Sequence, residues 1–401
     1  MPMYKPSITL AAAIACALGA APALANDAEM LRQMKAQMAK MQAQMEAMQK
    51  RIDAQETKQQ KVAADVAEQK RKGGGLGKAV QVYGQARVTA DFTDNDTGRD
   101  GTEIVSNASR IGVKGEMPTS IADTALFYQA ELRYETTDDV NGGPGTATGT
   151  KQVEFREGFA GLKGNWGKVR LGRLSTGYKK TGTKIDPWTD NVPQARGGGR
   201  QGMSELHSSY FNNAIDYETP KFGGGFTGNA WYSTRFDNSP KGIHNAGAAT
   251  NFKGGQAGGV GIKYNAGPLF VGVDWIDIDA DSIAGGGVSN DSAWQIGARY
   301  KVQDNLSFAG MYEDSEDLGL GKNWYLNGIY RIGHTRLIAA YGESNDRVAN
   351  GNKDWNNWSI GAKYDLTKKS ELLAAWNRRT DDTDNLDFDT FTIGVNAKFG
   401  Y

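Results

Sequence analysis

The chain has 401 residues, 52 of them glycine and only 10 proline, with 10% aromatic side chains and a mean hydropathy below zero. That is too polar for a bundle of membrane-crossing helices and too aromatic for a disordered chain. Lys plus Arg and Asp plus Glu number 46 each, so no net positive field points to nucleic acid as a partner.

Lys5 precedes the apolar run from Ile8 to Leu18, and Ala23-Leu24-Ala25 supplies an A-x-A cleavage site. Residues 1–25 therefore read as a secretory signal peptide, with the mature chain starting at Asn26. A lipoprotein reading would place the lipid on Cys16. Against it, Ala13 stands where leucine is usual, and the apolar stretch continues past the cysteine. Cys16 is the single cysteine, so the exported chain has no disulfide and no thiol chemistry. Removing Lys5 leaves it one base short of its 46 acids.

Residues 26–72 are expected to form a periplasmic coiled coil. From Asp27 to Lys72 there is no Gly, Pro, Phe, Tyr or Trp. Leu31, Met34, Met38, Met41, Met45, Met48, Ile52, Gln55, Gln59, Val62 and Val66 follow in alternating steps of three and four. That is a heptad seam at a and d. An amphipathic helix lying on a membrane is the rival, but its apolar stripe would be broader. Methionine at a and d is adaptable and does not fix the strand number, while Gln55 and Gln59 would set register. Residues 73–79, opening on Gly73-Gly74-Gly75-Leu76-Gly77, read as a hinge. They do not make a phosphate loop, because Lys72 stands where the first glycine is needed and Ala79 where Ser or Thr must follow Lys78.

From Val80 the period changes to two. Val82, Ala86, Val88, Ala90 and Phe92 share one face, and Gln81, Gln85, Arg87, Thr89 and Asp91 share the other. Similar alternation recurs at Leu126–Tyr134, Trp294–Tyr300, Trp358–Tyr364 and Phe391–Tyr401. Sixteen strands are expected, at about 80–92, 108–117, 123–135, 151–164, 166–175, 207–218, 225–236, 257–265, 268–278, 291–301, 305–314, 322–332, 334–344, 355–365, 369–379 and 388–401. A soluble β-sandwich could also alternate. It would not place Tyr and Trp at the ends of apolar faces, alternate short turns with long loops, or keep a second face polar along whole strands. An all-β, 16-stranded antiparallel transmembrane barrel over 80–401 does all three, with a water-filled lumen.

Several stretches resemble the Gram-negative general diffusion porins. They are Val82-Tyr83-Gly84-Gln85, the run from Ser109 to Glu116, the run from Gly158 to Gly164, Val169-Arg170-Leu171-Gly172-Arg173, and the run from Asp216 to Pro220. Their order and spacing match that family's first six strands. The coiled coil is outside the general pattern and is similar to N-terminal extensions of some substrate-preferring porins. The resemblance implies a homotrimer in the outer membrane, contacting lipid and lipopolysaccharide, with no cofactor. It implies passive diffusion of small hydrophilic solutes and ions. A channel preferring small anions such as dicarboxylates stays open, as does a tether whose coiled coil binds peptidoglycan.

The resemblance also implies that the third extracellular loop, here about 175–206, folds into the barrel and makes its constriction. Gln194 replaces the acid of the family's Pro-Glu-Phe-Gly-Gly stretch, Arg196 is added, and Asp190 remains where the family has an acid. Arg110 and Arg156 match the family's basic ladder on the facing wall, while Gln85 and Tyr210 stand where relatives often carry a base. Strand parity alone aims Arg87, Lys114 and Arg133 into the lumen, with Glu131 near them. The loop carries Lys179, Lys180, Lys184, Arg196 and Arg200 against Asp186, Asp190 and Glu205. A positive neck and a weak anion preference follow. Some of these side chains could equally face bulk water or pair with each other.

A hydrolase needs a nucleophile beside a base. Of the three histidines, His244 lies in a long loop and His334 at a tight turn. His207 abuts Ser208 and Ser209, but neighbours on a strand point to opposite faces. No enzyme is expected. Asp274, Asp277, Asp279 and Asp281, and the cluster from Asp381 to Asp389, could attract Ca²⁺. Counted from Asp277, Ser282 occupies the glycine position and Val288 the final acid position of a calcium loop, so both groups read as solvated loops and no metal is expected.

Overall fold

The computed structural model describes residues 79–95, 101–136, 153–195, 205–208, 210–236, 255–279, 291–346, 354–381 and 387–400, together with eleven residues spaced between Arg32 and Arg51. Those eleven are helical and exposed. The signal peptide, the Leu31-to-Val66 seam and most of the Gly-rich hinge lie outside the described residues.

From Gln81 the alternating pattern forms antiparallel strands. They are β1 (Gln81–Asn95), β2 (Gly101–Ser106), β3 (Arg110–Pro118), β4 (Thr124–Tyr134), β5 (Val153–Gly164) and β6 (Gly167–Leu174). Helix α1 (Gly177–Ile185) and a 3-10 turn (Glu205–Ser208) interrupt the series. It resumes with β7 (Phe211–Glu218), β8 (Phe226–Phe236), β9 (Gly255–Ala266), β10 (Leu269–Asp279), β11 (Asp291–Gln303) and β12 (Leu306–Ser315). It ends with β13 (Gly321–Ile332), β14 (Thr335–Asn345), β15 (Trp355–Asp365), β16 (Ser370–Asp381) and β17 (Phe388–Phe399).

From β3 on, each strand pairs with the next, and Val88 of β1 lies opposite Val395 of β17, which closes the sheet. Closure matters because an unpaired edge has no partner in lipid. β2 and β3 both pair with β1, at opposite ends: Ser106 faces Val88 and Arg110 faces Gln85. The two segments together make one stave, so the barrel has sixteen. The sequence pattern gives this stave as one run over 108–117. The break falls at Asn107-Ala108-Ser109, where Ala108 sits at φ 57. The sixth expected strand begins later than periodicity predicts, at Phe211, because residues 205–208 are helical.

The apolar face points outward: Val82, Ile296, Phe308 and Ile360 are all exposed. Aromatic side chains ring one end of that face, with Trp275 opposite Trp294, Tyr312 opposite Trp324 and Tyr341 opposite Trp358. Tyr300 lies six residues from Trp294, about 20 Å along the strand, and marks the other end of the band. This is the outer surface that a bilayer requires. Short turns close the end near Tyr300, such as Gly333 at φ 56 between β13 and β14. A glycine takes that left-handed conformation without strain.

The inner face is polar. Thr89, Gln295, Asn323, Asn357 and Thr392 point inward and are closed off from solvent. Apolar packing inside the barrel follows the loop that enters it. Tyr178 packs with Leu206, Phe211 and Ile276, Ile185 with Phe270 and Met311, and Trp188 with Ile338 and Ala375. These contacts hold the loop against the wall.

Candidate functional site

Helix α1 and the segment after it lie inside the barrel and follow its wall. Wall side chains from several strands donate to carbonyls along this loop. Lys263 of β9 donates to Gly177 O at 3.0 Å, and Gln295 of β11 to Tyr178 O at 2.8 Å. Asn327 of β13 donates to Ile185 O at 3.1 Å, and Lys363 of β15 to Pro187 O at 2.9 Å. Arg87 of β1 completes the track on Thr189 O at 2.8 Å. Pro187 O and Thr189 O lie beyond α1, and backbone away from regular structure needs such partners wherever water is excluded. Ile185 O lies in the last turn of α1, where no intrahelical donor remains.

Two buried carboxylates anchor the back of the helix. Asp274 accepts from Thr181 Oγ1 at 2.5 Å and Gln295 Nε2 at 3.1 Å, and lies 3.1 Å from Lys263 Nζ. Glu313 accepts from Tyr178 Oη at 2.6 Å and Asn323 Nδ2 at 2.9 Å, and lies 3.1 Å from His207 Nε2. Burial and the Glu313 carboxylate push the Tyr178 hydroxyl well above its ordinary range, so it remains a donor. The sequence reading put Asp274 in a solvated acidic strand end. It is 1% exposed and tied to the loop, whereas Asp277 and Asp279 are exposed. His207 also departs from its expected strand position: it sits in the 3-10 turn, against Tyr178.

The tip of the loop is folded by its own polar side chains. Asp186 accepts from the N–H groups of Trp188 at 2.8 Å and Ala195 at 3.1 Å, and Gln194 Oε1 accepts from Asp190 N–H at 3.0 Å. Asp190 has φ 60, a conformation that aspartate tolerates better than most residues. Its carboxylate lies 3.0 Å from Arg87 Nη1 and 3.5 Å from Arg110 Nη2. Glu131 accepts from Arg156 Nε at 2.9 Å and Tyr83 Oη at 3.0 Å, and sits 3.8 Å from Arg110 Nε.

Two bulges aim further charges inward. Opposite Glu131-Leu132, β5 carries one extra residue, Arg156. At a second register shift, Asn212 and Asn213 of β7 face the single residue Arg173 of β6, which donates to Arg156 O and to Asn212 Oδ1, each at 2.7 Å. Gly172 has φ 144, and a Cβ there would lie 2.2 Å from Gly158 O, so the bulge requires glycine. Tyr210 lies among the resulting cations. Lys179 Nζ is 3.3 Å from its ring centroid, Arg173 Cζ 5.2 Å and Arg156 Cζ 5.4 Å.

A closed barrel, lipid-facing outside and polar inside, with an inserted loop lined by charge, is a channel architecture. A family model described as Gram-negative porin matches residues 11–385. The chain belongs to the Gram-negative porin family. The porin is 27% identical over 363 residues to the major outer membrane protein P.IB of Neisseria sicca, covering 80% of this chain and 94% of that protein. An outer membrane porin protein of Bordetella pertussis is 24% identical over 327 residues, covering 73% and 82%. Two solved structures share the fold. An anion-selective porin from Comamonas acidovorans superposes with TM-score 0.62 at 17% identity, over 80% of this chain and 99% of its own. Salmonella typhi OmpF in complex with daunomycin gives 0.61 at 18%, over 81% and 99%. The chain is thus an outer-membrane porin, and its barrel forms a water-filled channel across the Gram-negative outer membrane for diffusion of small hydrophilic solutes and ions.

Within this porin, Arg87, Arg110, Glu131, Arg156 and Asp190 come together where the inserted loop meets the wall. Asp190 reaches the wall and contacts it directly, rather than opposing it across open water. Arg133 pairs with Glu135 at 2.6 Å, and Lys114 lies over the Tyr83 ring at 4.7 Å. Lys184 lies 5.9 Å from the Phe270 centroid, away from the Asp190 group. Asp186 and Gln194 shape the loop tip through backbone contacts. Arg196 and Arg200 lie outside the described residues. Strand parity misses Glu157 and Arg173. The adjacent charges Arg156-Glu157 and the mid-strand Gly172 are the signals of bulges that could have found them. Among the described residues, no group of three or more His, Cys, Asp or Glu side chains is placed to hold a metal ion.

Proposed function

We propose that the porin is a homotrimer whose neck weakly prefers anions. The observation that supports the preference most directly is the docking of Asp190 on Arg87 and Arg110. One loop carboxylate meets two wall guanidinium groups, and Glu131 meets Arg110 and Arg156. Arg173 and Lys179 add two more cations beside Tyr210. Five cations thus share the neck with two carboxylates. The neighbouring groups Arg133 with Glu135, and Arg170 with Asp216 and Glu157, together with Glu154 opposite Arg133, contribute two cations and four carboxylates. They trim the surplus without reversing it. A surplus of one sign in a narrow aqueous neck raises the local concentration of the opposite ion. The solved neighbour titled an anion-selective porin is consistent with this reading. Reversal potential across a KCl gradient tests it: an anion-side potential is expected, and a cation-side potential overturns it.

The trimer rests on the family resemblance and on the Met-rich heptads, which need partner helices for their seam. An unboiled sample should migrate well above monomer size, with light scattering giving three chains. A monomer by both measurements overturns this part. The coiled coil of residues 26–72 is assigned to the periplasm as a spacer that could reach peptidoglycan, and lipopolysaccharide is assigned to the outer face of the barrel. Single-channel conductance distinguishes a working pore from a tether with little pore activity.

A further inference from the structure

Tyr210 precedes β7 and is 9% exposed. Three cations from three elements surround its ring: Lys179 from α1, Arg156 from the β5 bulge and Arg173 from β6, opposite the β7 bulge. Arg156 is held by Glu131, and Arg173 by the Arg156 carbonyl and Asn212. Lys179 makes the closest approach to the ring, at 3.3 Å. Three like charges this close repel one another, and something must offset the repulsion. A carboxylate would do so by cancelling a charge. An aromatic ring does so through its quadrupole and leaves the net charge unchanged.

We infer that Tyr210 is a positioning residue for ion selection: its ring holds Lys179 beside Arg156 and Arg173 and so keeps the positive surplus of the neck in place. The inference rests on the anion reading above and deepens it by naming the group that organises the surplus.

The test is a set of full-length variants reconstituted singly in planar bilayers, read by reversal potential in a low-salt KCl gradient. Tyr210→Phe keeps the ring and should keep the parent's potential. Tyr210→Leu keeps the bulk without the quadrupole and should move the potential toward the cation side. Tyr210→Gln serves the same purpose if the leucine variant fails to assemble, as judged by heat-modifiable migration on gels. Because Tyr210 acts through Lys179, adding Lys179→Gln to Tyr210→Leu should shift the potential less than Lys179→Gln does alone, so the two changes are not additive. Additive shifts overturn the inference. So does a well-assembled Tyr210→Leu channel with the parent's potential, or a Tyr210→Phe channel that shifts as far as Tyr210→Leu. Each result is read as a shift from the parent. A cation-preferring parent therefore overturns the anion reading while the action of Tyr210 on Lys179 remains separately measurable.

Discussion

The His207 imidazole lies 3.1 Å from the Glu313 carboxylate, and neither side chain reaches solvent. His207 belongs to the returning limb of the loop and Glu313 to the β12 wall, while Tyr178 of α1 joins the same carboxylate. His207 also fills the space beside Gly182, where a Cβ would lie 2.1 Å from its Nδ1. One acid therefore fastens both limbs of the constriction loop to the barrel. Glu313→Ala removes the shared acceptor, at a cost of about 1–3 kcal/mol for each buried donor left unsatisfied. The strand ladder is untouched, so the barrel should still assemble. The loop should lose its single position, and single-channel records should show flickering and a spread of conductance levels. One stable, parent-like level would show that the remaining wall contacts are enough.

Neutralising the wall tests the neck directly. Arg110→Gln with Arg156→Gln should move the reversal potential toward cations. Asp190→Asn should move it the other way, since Arg87 and Arg110 then keep their charge without the Asp190 carboxylate. Both shifts should shrink at 1 M salt, where the Debye length is about 3 Å against about 10 Å at 0.1 M. A double arginine variant that retains the parent's potential at low salt rules these residues out as the selectivity element.

The barrel is legible in the sequence because lipid imposes period-two alternation on every stave, and Trp358-Ile360-Ala362-Tyr364 displays it without ambiguity. The loop's anchors are harder to see. Asp274 and Glu313 occupy ordinary lumen-facing positions, and parity cannot tell an acid that meets water from one covered by a loop. Their burial depends on where Thr181 and Tyr178 arrive from far along the chain. Bulges fail for a different reason: Arg156 and Glu157 are adjacent, and strict alternation sends them to opposite faces. The extra residue opposite Glu131 breaks that rule. The resemblance marks Asp190 as an acid of the inserted loop, but its direct contact with Arg87 follows from the φ 60 turn and the Gln194 bond, which composition does not encode.

Lys180 supplies a pH dependence. It lies on the loop, outside the spanning strands, 3.6 Å from Glu218. Desolvation, with Arg170 and Lys168 nearby, pushes its ammonium down to about 8, although Asp216 and Glu218 act in the opposite direction. Its positive charge is therefore present below that value and lost above it. Anion preference should weaken as pH rises from 7 to 9. Lys180→Gln should be less anion-preferring at pH 7 and show a flatter profile over the same range. An unchanged slope in that variant would assign the titration to another group.

The N-terminal segment gives the last prediction. At ~1.5 Å per residue, a continuous helix over residues 27–72 would be about 69 Å long. The segment is separated from β1 by Gly73-Gly74-Gly75-Leu76-Gly77, a sequence that does not propagate a helix into a strand. Its Met seam is suited to helix–helix packing, and the track from Lys263 to Arg87 that seats the inserted loop is built from barrel residues. Deleting residues 27–72 should therefore leave single-channel conductance and reversal potential at the parent's values. Heat-modifiable migration then reports whether the barrel still associates without the coiled coil. If deletion raises conductance substantially, the helices obstruct the lumen, and the spacer assignment fails even though the barrel and its neck remain as described.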